Sequence, residues 1–251
     1  MKIVSWNANG KFREKYKSIL ELDADIYVIQ ECENPETCKD PEYRAFFNNY
    51  YWAGVYSYKG LMVFTTRPDI TLTRLNWGAE DKRVFIPVRV NDSFNLVAAW
   101  ACDPYCEELY DWVEVVSDNL NDETIIIGDL NSNVTLDPKH LRKSGKSFGH
   151  VIKQLEPKGL IPMWHHYHKQ EQGNEKTPTF YLYRHLDKPL HIDHCFANPE
   201  LVKSIIIHAR WQWLSLSDHL PIEIETKLPS QSIINNRYSL RYDYTSQHNI
   251  R

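Results

Sequence analysis

Nine short apolar runs rich in Ile, Val, Phe and Tyr recur along the chain: KIVSW, DIYVIQ, LMVFTT, VFIPVRV, FNLVAAW, TIIIGD, HIDHCFA, SIIIHA and PIEIET. Their length and β-branched content mark them as strands, and this many strands in one chain call for stacked sheets. How some of them end is less ordinary. In TIIIGDLNSN, residues 124–133, the run stops at Gly128, and a carboxylate, Asp129, and a carboxamide, Asn131, follow at once. A strand built for burial gains no stability from such an ending, so the polar groups need another explanation.

Between the strands lie amphipathic stretches at residues 11–22, 106–120 and 147–157. In the second, Leu109, Trp112, Val113 and Val116 recur at helical spacing and form one apolar stripe. Helices sit between strands without strict alternation, which favours packed sheets with helices on their outer faces, a layered α/β sandwich, over a doubly wound sheet. With 251 residues and no internal repeat, the simplest division is one domain over residues 1–228 and a polar tail over 229–251, flexible or loosely docked, that carries no clear period.

Composition narrows the class without naming a partner. A hydrophobic share of 42% and a charged share of 25% belong to an ordinary globular protein. A net charge of -4 argues against charge-driven coating of nucleic acid or membrane, while leaving room for a local basic groove. Five cysteines are an odd number in a domain large enough to fold without staples, which fits reduced thiols in the cytoplasm. No signal sequence and no membrane-length apolar run stands in the chain, so a cytoplasmic, monomeric protein with no membrane partner is expected.

Three local features invite a metal or phosphate reading and lack its remaining parts. Cys102 and Cys106 have the look of half a zinc site with no second pair at matching spacing. His165, His166 and His168 in WHHYH read as a surface loop or strand end. RKSGKS, residues 142–147, is basic but lacks the glycine spacing of a P-loop, and either contacts a nucleic-acid backbone or is simply solvated.

The polar residues at strand ends are more informative together than apart. Asn7, Glu31, Asp129, Asn131, Asp193, Asp218 and His219 are spread over the whole sequence, yet each lies on or beside a strand. Singly, Asp129 is a turn residue, Asn7 a helix cap and Glu31 a solvated strand exit. Jointly they form the acid, amide and imidazole set that a hard cation and a phosphate require.

The stretches SWNANG, IQE, GDLNSN, HIDHCF and SDHLPI resemble, in order and spacing, the motifs of the endonuclease/exonuclease/phosphatase superfamily, over residues 1–227. The resemblance implies a DNase I-like, four-layered α/β sandwich whose site lies at one end of two packed sheets. It implies hydrolysis of phosphoesters with Mg2+ or Mn2+. Carried over by position, Glu31 matches the principal metal-ligating glutamate, with Asn7 and Asp218 near the metal. Asp129 and Asn131 match the residues that activate and orient water. His219 matches a phosphate-contacting histidine and Asp193 its carboxylate partner, which would raise the imidazole pKa and fix its orientation. Asp218 and His219 would point to opposite faces of a regular strand, but Ser217 and Pro221 signal a turn where both face one pocket.

One position departs from the pattern. Where the family places a histidine or tyrosine that contacts the phosphate, this chain has Trp100, whose indole donates one hydrogen bond but carries no proton. Trp100 therefore reads either as a weaker or stacking contact to substrate or as a half-buried core residue. Later aromatic and basic residues, Phe180, Tyr181, Arg184, His185, Trp211 and Trp213, read either as contacts for bases and phosphates or as sheet packing. The leading expectation is a metal-dependent phosphodiesterase on nucleic acid, with DNA the first choice, cutting as an endonuclease or exonuclease. A small substrate such as an inositol phosphate or a nucleotide is the alternative. A non-catalytic binding module, raised by Trp100, is the third reading.

Overall fold

The computed structural model describes residues 1–78 and 84–227; the tail expected over 229–251 lies outside the described residues. The strands are, in chain order, β1 (Lys2–Asn7), β2 (Ile26–Cys32), β3 (Tyr50–Tyr56), β4 (Lys59–Phe64), β5 (Leu72–Arg74), β6 (Phe85–Val90) and β7 (Phe94–Trp100). They continue with β8 (Thr124–Asp129), β9 (Ile161–Pro162), β10 (Phe180–Tyr181), β11 (Pro189–Leu190), β12 (Asp193–Ala197), β13 (Val202–Ile207) and β14 (Ile222–Thr226). The α-helices are α1 (Tyr16–Leu20), α2 (Pro41–Phe46), α3 (Cys106–Val116), α4 (Lys139–Ser144), α5 (Phe148–Leu155), α6 (Met163–His168) and α7 (Arg210–Trp213).

All nine apolar runs became strands. They assemble into two six-stranded sheets, ordered β13-β14-β1-β2-β4-β3 and β5-β6-β7-β8-β12-β9, with β10 and β11 forming a separate ribbon. Each large sheet has one parallel pair at its centre, β1 with β2 and β7 with β8, and its other pairings are antiparallel.

The two-residue period of strands explains how the sheets stack. In the first sheet, Ile3, Ile26, Val28, Leu61 and Val63 enter a core shared with Val88, Leu96, Ile125 and Ile127 of the second. The alternate residues Val4, Trp6, Tyr27, Ile29, Met62 and Phe64 point the other way, under Phe12, Tyr16, Ile19, Tyr43 and Phe47. The outer face of the second sheet is covered by α3 and α5, where Trp112 stacks on Phe85 with centroids 4.5 Å apart and Phe148 meets Phe196 edge-on. The result is helices, sheet, sheet, helices, as expected.

Some local expectations need correction. The first amphipathic stretch is a 3-10 turn at Phe12–Glu14 followed by the short α1, because Lys11 adopts a left-handed φ of 52° and Lys15 leaves the helical region. WHHYH is neither loop nor strand end: it is most of helix α6, with His165 buried against Glu175 at 2.7 Å. The edge strand β3 stood outside the nine runs because its residues are only partly buried, which blurs the apolar pattern. Among the described residues, no helix is long and apolar enough to cross a membrane.

Candidate active site

The C-terminal ends of the two central parallel pairs meet at one edge of the sandwich. From β1 comes Asn7, from β2 Glu31, from β7 Trp100 and from β8 Asp129. Asp129 is the register partner of both Trp100 and Asp193, so all three side chains leave the same face of the second sheet. Asn7, one position beyond Trp6 on β1, has the parity of the inner-facing Ile3 and reaches across between the sheets. Its Nδ2 donates to Asp129 Oδ2 at 2.9 Å and lies 3.4 Å from Glu31 Oε1.

Glu31 owes its direction to a bulge. Pairing with β4 slips between Gln30 and Cys32, and Glu31 takes a left-handed φ of 57°. Without that extra residue it would share the face of Ile29, under the aromatic layer; the bulge turns it to the rim. There its Oε2 lies 3.1 Å from the Lys59 ammonium, which in turn sits 5.5 Å from the Trp100 ring centroid.

Asp129 is fully buried and held from several sides. Its Oδ1 accepts from the Asn131 backbone N–H at 2.9 Å, and its Oδ2 from Asn131 Nδ2 at 3.0 Å as well as from Asn7. Asn131 also donates to the Ala101 carbonyl, and its own left-handed φ of 46° is a conformation that Asn tolerates better than most residues. Burial raises the Asp129 carboxyl to about 7 despite the opposing pull of His219.

His219 completes the cluster. Residues 217–221 leave the strand, as Ser217 and Pro221 signalled; Ser217 Oγ accepts from the His219 backbone N–H and donates to the Asn7 carbonyl, tying this turn to the end of β1. The imidazole Nδ1 lies 2.9 and 3.2 Å from the two Asp193 oxygens, and Nε2 lies 3.9 Å from Asp129 Oδ2. Burial alone would lower the imidazole pKa, but the carboxylates of Asp193 and Asp129 outweigh it and lift it to about 9. With Nδ1 engaged by Asp193, Nε2–H is the donor left facing the site. Asp218 is half-buried, its carboxyl raised by that burial, and Glu31 and Arg184 are within electrostatic reach.

The remaining candidates separate. Phe180 pairs with His219 through a β-bridge and tilts over its ring at 4.5 Å. Arg184 is exposed nearby and donates weakly to the Leu216 carbonyl at 3.4 Å. Trp211 is 78% exposed on α7 and touches no ring of the cluster. Tyr181 and Trp213 belong to the core, Trp213 packing 5.3 Å from Trp6. Trp100 is nearly buried yet faces the site, so its two sequence readings describe one residue.

Sequence reasoning missed Lys59, which follows a turn and belongs to no motif. It also missed Thr179, whose Oγ1 accepts from the Ile192 and Asp193 backbone N–H groups and so fixes the start of β12.

The donor set suits a hard divalent cation. Asp129, Asp193 and His219 offer ligand atoms within 4.8 Å of one another, but the proton held on His219 and its hydrogen bond to Asp193 occupy that cluster, which leaves Glu31 as the freer ligand. Glu31 presents a partly exposed carboxylate beside the Asn7 amide, and an ammonium already rests against it, so positive charge is accommodated there.

Comparison with known proteins agrees with this geometry. Solved structures with the same fold include a 3′ phosphatase from Neisseria bound to product DNA hairpin, 19% identical, with a TM-score of 0.66 over 90% of this chain and 99% of that one. An AP endonuclease from Archaeoglobus fulgidus is 18% identical, with a TM-score of 0.64 over 90% and 99% of the two chains. An AP endonuclease from Leishmania major is 14% identical, with a TM-score of 0.66 over 91% and 88%. The search of curated proteins found no match. Residues 4–219, nearly the whole described chain, match the Endonuclease/Exonuclease/phosphatase family, and the protein belongs to it.

Proposed function

We propose that the protein is a metal-dependent phosphodiesterase that hydrolyses nucleic acid, with DNA as the first candidate substrate. The observation that carries this reading is the His219–Asp193 pair set beside the buried Asp129. It puts a cationic donor and a proton acceptor 3.9 Å apart at the end of the sandwich.

Each residue has a role that follows from its contacts. Asp129, with a pKa near neutrality, takes a proton from the attacking water, and Asn7 and Asn131 hold its oxygens in place through their amide N–H groups. His219 stays protonated at neutral pH and turns Nε2–H toward a non-bridging phosphate oxygen, where negative charge grows in the transition state. Asp193 orients the ring and keeps it charged. Glu31, with Asn7 and Asp218 close by, would hold Mg2+ or Mn2+. When bound, such an ion neutralises charge on the phosphate and the leaving oxygen. Trp100, in register with Asp129, gives this site a flat apolar wall, and Phe180 tilts over the His219 ring. Arg184 and the exposed Trp211 stand farther out as contacts for the rest of the substrate.

The test is hydrolysis of a labelled panel of double-stranded, single-stranded and abasic-site DNA, RNA and inositol phosphates, with Mg2+, Mn2+ or chelator. Asp129→Ala and His219→Ala run beside the wild type. Metal-dependent cleavage of a nucleic acid, lost in both variants, is the expected result. A folded wild-type protein that cuts no phosphoester would overturn the assignment.

A further inference from the structure

The hairpin joining β3 and β4 stands beside the site and takes no part in the chemistry above. Its tip carries Tyr56 and Tyr58, 60% and 64% exposed, next to Val55 at 66%. The two phenol rings stack on each other, with centroids 5.5 Å apart and planes within 16° of parallel. Contiguous exposed apolar surface of this kind marks a place of contact with something else.

The tip is firmly held. The Trp52 indole lies across the stem so closely that a Cβ at Gly54 or Gly60 would meet it at 2.6 or 2.3 Å, which is why both positions are glycine. Trp52 Nε1 donates to the Cys32 carbonyl at the end of β2. The Asn34 backbone N–H donates to the Ser57 carbonyl in the turn at 2.7 Å. The hairpin is therefore fastened to the same segment that carries Glu31.

It is also aimed. Tyr56 and Lys59 are cross-strand partners, so their side chains leave one face of the hairpin, and Lys59 reaches Glu31 at 3.1 Å beside the Trp100 ring. A flat aromatic surface thus begins one residue from the ion pair at the rim. Each tyrosine has one ring face covered by the other, and the pair offers flat outer faces to solvent.

We propose that Tyr56 and Tyr58 form a stacking platform for an unpaired base of the substrate, with Lys59 at its foot against the adjoining phosphate. The favoured substrate is then single-stranded nucleic acid, or a strand end whose bases are free. The inference rests on the nuclease reading above and sharpens its substrate class. Two facts point to an unpaired base. In a duplex both faces of each base are already stacked, so only an unpaired base has a face to give. With 29 basic against 33 acidic side chains, the protein lacks the excess positive charge that grips duplex phosphates without sequence preference, and stacking offers affinity that does not depend on it.

Fluorescence anisotropy of a labelled oligothymidylate and of its duplex, in chelator so that nothing is cut, tests the proposal on the full chain. The single strand should bind more tightly than the duplex. Tyr56→Ala/Tyr58→Ala should weaken single-strand binding by about ten- to a hundred-fold. Tyr56→Phe/Tyr58→Phe should keep most of it, since a ring still stacks. Thermal melts of both variants verify that the fold is intact. Equal binding by the alanine and phenylalanine variants, or an equal loss on strand and duplex, overturns the platform and leaves the tip as a surface for a protein partner. Hydrolysis of bis(p-nitrophenyl) phosphate by the wild type reports the chemistry separately. A protein that cuts this ester but shows no tyrosine-dependent binding refutes the platform alone; one that binds through the tyrosines but cuts nothing refutes the nuclease reading instead.

Discussion

Gly128 precedes Asp129 on β8, and an alanine there should damage the sheet and the site together. Its Cβ would lie 1.8 Å from the Ala99 carbonyl oxygen and 2.7 Å from the carbonyl carbon. Real Cβ atoms essentially never approach closer than 3.0 Å, so β7 and β8 would have to part by about 1.2 Å. This is the central parallel pair of the second sheet, with core packed on both faces, and an opening of that size carries the nearby ladder bonds out of hydrogen-bond range. Losing two or three of them at about 1 kcal/mol each, with ~1–3 kcal/mol more from overpacking, predicts a loss of about 3–6 kcal/mol. Urea unfolding followed by tryptophan fluorescence measures it. Gly149→Ala is the matched control: in α5 the new Cβ meets nothing nearer than 3.8 Å, and helix propensity makes it neutral or up to about 1 kcal/mol stabilising. Activity should fall in Gly128→Ala even where the protein remains folded, because Asp129 moves with the strand. A Gly128→Ala protein as stable as Gly149→Ala would refute the reasoning, since the β7–β8 spacing would then not dictate the glycine.

Other expectations follow from the charges. Asp193→Asn removes the main group that holds His219 protonated, so its imidazole should titrate well below the wild-type value of about 9. Hydrolysis near pH 7.5 should drop by about 10- to 100-fold, and NMR titration of His219 tests the cause, an unshifted titration rejecting it. Burial holds His191 and His194 neutral, with His194 well below the ordinary value. The unfolded chain therefore binds protons first on acidification. Stability is retained above the unfolded histidine pKa of about 6.5 and falls below it by up to about 1.4 kcal/mol per pH unit for each histidine, until the folded pKa is reached. Thermal melts between pH 7.5 and 5.5 should show that slope, and His194→Gln should flatten it; an unchanged slope in the variant would exclude His194 as its source. Lys59→Met removes the ammonium beside Glu31, and at roughly 1 kcal/mol of relieved repulsion Mn2+ should bind several-fold more tightly by calorimetry. Weaker binding would mean that Lys59 supports the cation site instead of opposing it.

Much of the site could be read from the sequence because its residues terminate strands that announce themselves. The apolar run before Asp129 and the one before Asn7 are local patterns, and a polar residue after each needs no tertiary knowledge to be noticed. Lys59 was invisible for the opposite reason: it follows a turn of ordinary composition, and only the pairing of β4 with β2 brings it to Glu31. His165 misled because helix α6 is only six residues long, too short to display a helical period, and its burial against Glu175 depends on a loop that follows it.

The sequence by itself determined the nine apolar strands, the layered arrangement and the identity of the groups at the strand ends, since alternation and composition act over a few residues. Tertiary structure decided which of those ends meet. Asn7 and Asp129 are separated by 122 positions, yet their side chains lie 2.9 Å apart, because each occupies the last inner-facing position of a central strand in its own sheet and the shared core sets the distance between the sheets. The bulge that turns Glu31 to the rim, the register that pairs Asp193 with Asp129, and the turn that brings His219 between them are likewise set by contacts between distant segments. No local pattern can specify such contacts, because their energy exists only once the two sheets have packed.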